Sequence, residues 1–377
     1  MANPNGSAKV SQKNLDRTEH ELPKHLKEDG EPNIKSLSVA LGVEWHTAKR
    51  WVERLKEQRG EGASEPAYQM PDFPDEDIPV EEILEYKRKR FQKKKASFEA
   101  HTWFPIKIKD KRPIGILWFG DPHIDDDGCN QDLLDRDIAL CNMTEGLFGA
   151  NIGDTTNNWA GRLVKLYAEQ ESSVKTARRL AEWFMLDSGV TWLIWILGNH
   201  DAWGDGSALL SEMAKRHSTH KLICHDWETR FTLKFPNGWA PRIYAAHDFK
   251  GHSQWNPMHG PMKMGQMGDD ADLYVAGHKH NAGYFFFENA YRQHWQHFLR
   301  VRGYKFLDDY ARRNQFPEQY EGCGAVTIFD PGRQQISVYM DTEEGADVLR
   351  FKRGRRGGPD PRPVPARCAQ GAATTAV

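Results

Sequence analysis

Five short apolar runs each stop abruptly at a cluster of Asp, His and Asn residues, and no other feature constrains the fold of this chain so strongly. The runs are ILWF before GDPH (Asp121, His123), GANI before GD (Asp154) and LIWIL before GNHD (Asn199, His200, Asp201). They continue with IYAA before HD (His247) and LYVA before GHKH (His278, His280). A short apolar run without polar alternation marks a strand covered on both faces. In open α/β sheets, ligands gather just beyond the carboxyl ends of the strands. Five such ends carrying ligand-type residues therefore predict one crevice on which all five converge.

The surrounding texture is α/β from about residue 112 to about residue 345. Strands are expected at 113–119, 147–152, 191–197 and 273–276, and helices at 131–145, 163–186 and 208–217. Residues 231–235 and 242–246 read as a hairpin turned at Pro236, Asn237 and Gly238. A later hairpin joins 326–329 to 336–340 through Pro331 and Gly332. The aromatic run Tyr284, Phe285, Phe286 and Phe287 reads as core packing of a strand. Packing is also the favoured reading of Trp159 and Trp203, ahead of a wall to the site or a stack on a base.

The residue types suit divalent cations. Carboxylate, imidazole and amide oxygen are borderline-to-hard ligands that fit Mn, Fe, Zn or Co, and two such ions can hold both sides of a phosphoryl displacement. A His beside them is the natural proton donor to a leaving oxygen.

Taken in order, DxH, GD, GNHD, a strand-end His and GHxH resemble the calcineurin-like metallophosphoesterase family, over residues 114–281. The resemblance implies a two-sheet sandwich flanked by helices, with the late hairpin in the second sheet. It implies that Asp121, His123 and His280 bind one metal and that Asp154 bridges to a second held by Asn199, His247 and His278. His200 becomes the general acid or transition-state stabiliser, held through its other ring nitrogen by Asp201. Manganese is the expected ion. Two departures stand out. The family's GDxxD is here GDTTNN, with Asn157 or Asn158 in place of the outer carboxylate. The strand-end His is chosen from His247, His252 and His259, with His247 favoured by its place at the strand end and His252 its competitor.

Upstream of the core, residues 1–57 form a polar tail, with a helix expected at 16–28, and a helix-turn-helix-like module at 34–55. Ala40, Gly42 and Val43 supply the close packing and turn, and Trp45, His46, Lys49 and Arg50 would face a DNA major groove. The alternative is a helical hairpin for protein contact. Residues 58–100 hold a Gly/Pro/Ser-rich linker and a charged helix with seven basic residues between Lys87 and Lys95. That run is either a solvated face or a phosphate-backbone contact. The catalytic domain is placed at 101–345 and a disordered Gly/Pro/Arg-rich tail at 346–377. This arrangement is similar to that of phage or prophage proteins.

Composition narrows the class further. Lys plus Arg number 51 against 53 Asp plus Glu, so the near-zero net charge of -2 excludes neither nucleic acid nor small anions. Cys129, Cys141, Cys224, Cys323 and Cys368 are odd in number and contain no CxxC pair, which argues for a reducing compartment. The polar start lacks a signal-peptide core, and no apolar run is long enough for a membrane span, so a cytoplasmic protein is expected. The expected activity is hydrolysis of a phosphate ester, with a nuclease acting on DNA as the leading form. A phosphatase or phosphodiesterase on nucleotides or phosphoproteins is the alternative. A third reading is a DNA-binding regulator on a non-catalytic phosphoesterase scaffold. The sequence leaves oligomeric state open.

Overall fold

A computed structural model of the chain describes residues 10–60, 76–216, 222–251, 253, 255–306, 312–313, 322 and 324–354. It divides into two compact units, Met1–Ile83 and Leu84–Val377.

The first unit is helical. Helices α1 (Gln12–Glu21), α2 (Ile34–Leu41) and α3 (Trp45–Gln58) enclose a small core of Leu22, Leu37, Leu41, Trp51 and Val52. Asn33 caps α2 by accepting a hydrogen bond from the Ser36 N–H, and Gly42 ends it in the left-handed region at φ 64°. The expected helix at 16–28 begins earlier and stops sooner, because Pro23 converts its end to a tighter turn at Leu22–His25. The linker expected after residue 57 lies mostly outside the described residues. Helix α4 (Val80–Ala100), most of which belongs to the second unit, carries the basic run and buries none of its side chains.

The second unit holds two six-stranded mixed sheets. One contains β2 (Ile114–Phe119), β3 (Leu147–Asn151), β4 (Trp192–Leu197), β5 (Ile223–Asp226), β11 (Ala325–Asp330) and β12 (Gln335–Tyr339), ordered β12-β11-β2-β3-β4-β5. The other contains β1 (Thr102–Lys107), β6 (Glu228–Lys234), β7 (Arg242–Ala246), β8 (Leu273–Ala276), β9 (Gly283–Asn289) and β10 (His294–Arg300), ordered β1-β6-β7-β8-β10-β9. One core lies between them. Ile114, Ile116, Trp118, Ile194 and Ile196 meet Phe231, Leu233, Ile243, Leu273 and Val275 there. The alternate residues Leu117, Phe119, Trp192 and Trp195 face α5 (Gln131–Met143) and neighbouring helical segments. On the far side Tyr244, Tyr274 and Phe298 pack with Met262 and Met264 of a helix at His259–Met267. Each sheet is thus buried on both faces, which is why its central strands read as unbroken apolar runs.

Four expectations need correction. The helix foreseen at 163–186 is a 3₁₀ segment at Gly161–Ala168, then α6 (Val174–Glu182), then a π-type turn at Trp183–Asp187. The break has a polar cause: Gln170 between them donates to Asp125 and the Ser172 carbonyl and accepts from Trp159 and Asn157, while Ser173 caps α6 through the Thr176 N–H. The late hairpin extends the first sheet, not the second, because β11 runs antiparallel along β2 and Thr327 accepts the Trp118 indole N–H. Phe285 and Phe286 of the aromatic run are exposed, since β9 is an edge strand. The tail expected from residue 346 is helical through Gly354, with Ala346 and Leu349 buried in the core.

Candidate metal centre

The parallel run β2-β3-β4 and the parallel pair β7-β8 send five carboxyl ends toward one place. Backbone hydrogen bonds lace the loops that follow. The His123 N–H bonds the Asp154 carbonyl, the Gly277 N–H bonds the His247 carbonyl, and the Tyr304 N–H bonds the Asp121 carbonyl.

All seven residues expected as ligands gather in this loop layer. His247 sits centrally, with Nε2 3.3 Å from Asp154 Oδ2 and Nδ1 3.4 Å from Asp121 Oδ1. Its Nε2 is also 3.0 Å from Asn199 Oδ1 and 3.0 Å from His278 Nδ1. His280 Nε2 lies 3.8 Å from Asp121 Oδ2, and His123 Nε2 lies 3.9 Å from Asp154 Oδ2. Two donor groups emerge, His123–Asp154–His200 and Asp154–His247–His278, each with ligand atoms within 4.8 Å of one another. Asp154 belongs to both. His252, the rival strand-end ligand, lies outside the described residues, and His259 begins the helix at His259–Met267.

Three observations fit this donor set to cations. First, Asp121 is fully buried, yet among the described residues neither carboxylate oxygen has a well-formed hydrogen bond, and neither does His123 Nδ1. A buried polar group without a partner is costly, so the fold retains it for another purpose. Second, Asp121, His123, Asp154, His278 and His280 all hold left-handed backbone, with φ between 32° and 68°. Residues with side chains avoid that region, and such strain concentrates at functional sites. Third, Asp154 already draws positive charge to it, on the His247 ring. Burial opposes ionisation of Asp154, yet His247 beside it holds the carboxyl well below its usual range. Burial would discharge His247, but Asp154 and Asp121 push its pKa upward. At Asp121 burial prevails and raises the carboxyl.

Glycine is required where these loops touch. A Cβ on Gly198 would overlap the Asp154 carboxylate and stand 2.7 Å from His247 Cε1. That approach explains the G of GNHD in steric terms.

The pairing expected between His200 and Asp201 is not present. His200 Nδ1 meets the Asn157 carbonyl oxygen instead, which leaves Nε2 directed at the site, 4.0 Å from Asp154 Oδ2. Burial lowers the His200 pKa, and Asp154 pulls it partly back. Asp201 is a loop fastener: its two oxygens accept the Thr155 N–H at 3.0 Å and the Gly198 N–H at 2.9 Å. Adjacency in sequence misled here, because the helical turn Asn199–Ala202 turns neighbouring side chains in different directions. Asn157 and Asn158 both support this corner. The Asn158 amide donates to the His200 and Trp203 carbonyls, and the Asn157 amide donates to Asp126.

Two contributors went unforeseen. Arg300, fully buried at the end of β10, donates to the Gly277 and Pro257 carbonyls and to Asp248 Oδ1, so it holds the segments bearing His278 and His247. Its signal was a lone charge ending the apolar run FL. Trp227 stands beside His247 and His278, with ring centroids 5.2 and 6.4 Å apart. Trp159 is buried and its indole N–H bonds Gln170, while Trp203 is half-buried with its ring 4.2 Å from His200. In the helical unit, Trp45, His46, Lys49 and Arg50 are all exposed on α3, and Lys49 lies over the Trp45 ring.

No family model and no curated protein matches this chain. Among solved structures, it aligns with Vps29 from Entamoeba histolytica complexed with zinc, at 11% identity and a TM-score of 0.30, over 60% of this chain and 97% of that one. It also aligns with GAP50, described as the anchor in the inner membrane complex of Plasmodium, at 10% identity and a TM-score of 0.33, over 62% and 86% of the two chains. Superpositions this loose carry no argument, so the reading of function rests on the site itself. Among the described residues, no helix is long and apolar enough to cross a membrane.

Proposed function

We propose that this protein is a dinuclear metal-dependent phosphoesterase of the calcineurin-like type, hydrolysing phosphodiesters in DNA. The observation that carries the reading is one buried carboxylate, Asp154, shared by two His-containing donor groups. Asp121, His123 and His280 would hold one ion and Asn199, His247 and His278 the other, with Asp154 between them and manganese the leading ion. When bound, such ions lower the pKa of water from about 15.7 toward about 7 and neutralise phosphate charge. The chain's own residues do the rest. The Asn157 carbonyl holds His200 Nδ1, so Nε2 is the atom that exchanges a proton with the leaving oxygen. Asp201 keeps the Gly198 and Thr155 amides in place, and Arg300 steadies the opposite loops. An intact donor set argues against a merely scaffolding role.

The DNA component rests on charge and exposure. Helix α4 exposes seven Lys and Arg side chains, and α3 exposes Trp45, His46, Lys49 and Arg50. Such surfaces suit phosphate-backbone contact. The test is manganese-dependent hydrolysis of fluorescent single- and double-stranded DNA beside bis-p-nitrophenyl phosphate, for wild type and His200→Ala. Cleavage of DNA that the variant loses supports a nuclease. Hydrolysis of the small ester alone favours a phosphatase or nucleotide phosphodiesterase. Deleting residues 1–100 should abolish DNA affinity and spare the small ester; unchanged DNA affinity would sink the role of the N-terminal helices.

A further inference from the structure

We infer that Trp227 is a stacking platform for an unpaired nucleobase attached to the phosphate at the metal centre, an inference that rests on the phosphoesterase reading above. Asp121, His123, Asp154, His247 and His280 are buried, whereas Asn199, His200 and His278 are half-buried, so these three are the partly exposed members of the cluster. A tryptophan stands against each of the two partly exposed histidines, Trp203 against His200 and Trp227 against His278.

Trp227 is built for more than packing. Its φ of 63° is a conformation that bulky side chains avoid, and the residue is left 39% exposed. The backbone at this position makes a tie that needs no side chain. Its N–H bonds the Leu197 carbonyl and its carbonyl accepts the His247 N–H, joining β4 to β7. Glycine would make the same two bonds without strain, so the tie does not explain an indole. The indole is nevertheless fixed, because Nε1–H donates to the Asp248 carbonyl at 3.2 Å while the Asp248 carboxylate is held by Arg300. A rigid, partly exposed aromatic ring beside a cation site offers a face to a planar ring on the same molecule as the phosphate. Nucleobases stack on such faces whatever their sequence, and a base inside a duplex could not reach this one. The substrate class is therefore a nucleotide unit with an unstacked base, from a single strand or a free nucleotide.

The test is calorimetric titration of the manganese-loaded protein with methylphosphonate, which has no base, and with a non-hydrolysable thymidine 5′-phosphonate, free or ending a short oligothymidylate. Wild type should prefer the thymidine compound by about tenfold. Trp227→Gly, which suits the left-handed backbone, should erase that preference, weakening the thymidine compound far more than methylphosphonate, while Trp227→Phe should keep most of it. An oligothymidylate advantage lost in Trp227→Gly identifies a strand as the source of the base; a loss confined to the mononucleotide identifies a free nucleotide. Equal weakening of both phosphonates would reduce Trp227 to a structural tie, and no weakening of either would also overturn the platform. If wild type binds neither phosphonate, the phosphoesterase reading itself fails, and the platform with it.

Discussion

Replacing Asp121 by asparagine should make the metal-free protein more stable and the metal-loaded protein less so. The carboxylate is fully buried, and among the described residues neither oxygen has a well-formed hydrogen bond, with only partial support from the His278 backbone N–H. Its compensation includes the His247 ring, with Nδ1 3.4 Å away, and burial still raises its pKa. A carboxyl whose folded pKa exceeds its unfolded value costs stability as pH rises through the unfolded value, and the full cost is reached above the folded one. Leaving a buried polar group unsatisfied costs about 1–3 kcal/mol, and more for a charge, so the partial compensation by His247 leaves about 2 kcal/mol to recover. In a domain of this size that is a rise in melting temperature of about 3–4 °C. With cation at a hundredfold excess over its dissociation constant, wild type gains about 2.7 kcal/mol that the variant forgoes. Scanning calorimetry of both proteins, in chelator and in manganese, should therefore show the order of stability reversing between the two conditions. An Asp121→Asn protein that melts below wild type in chelator would show that the fold itself satisfies this carboxylate, and the argument for a cation there would collapse.

Other substitutions test the supporting shell. Gly198→Ala places a methyl group against the Asp154 carboxylate and should lower kcat by about a hundredfold with the circular dichroism spectrum unchanged, since small misplacements at a reacting centre cost that much. Asp201→Ala strands the Gly198 and Thr155 amides and should cost about 2–4 kcal/mol in denaturant unfolding; a neutral result would remove Asp201 from the loop's support. Away from the site, His294 bonds both Asp270 and Asp272, which outweigh burial and raise its pKa to about 9. A raised histidine contributes stability that is complete below its unfolded pKa and is lost as pH rises through the folded one. Stability should accordingly fall as pH rises from 6.5 to 9, and His294→Gln should flatten that slope in pH-dependent melts.

The sequence by itself determined the parts governed by periodicity and by local chemistry. Unbroken apolar runs such as ILWF and LIWIL specify strands with two buried faces, and the residues that end them face a common edge once the strands lie parallel. That is why the seven residues expected as ligands come together in one loop layer. Gly42 likewise marks the turn between α2 and α3 locally. Only the tertiary structure decided the partners across space. His200 takes its orientation from Asn157, 43 positions away, and not from its neighbour Asp201. Gln170 breaks a helix that propensity would have continued, because Asp125, Asn157 and Trp159 offer its amide better partners. The strands β1, β5 and β10 were not foreseen, and β9 was expected as a buried strand, for burial or exposure follows sheet position and not pattern: Phe285 and Phe286 are as apolar as the core but lie on an edge. Trp227 is the clearest case. Its left-handed backbone arises from bridging the ends of β4 and β7, a constraint that exists only when the two sheets are brought together, and no property of the residues around it in sequence records that contact.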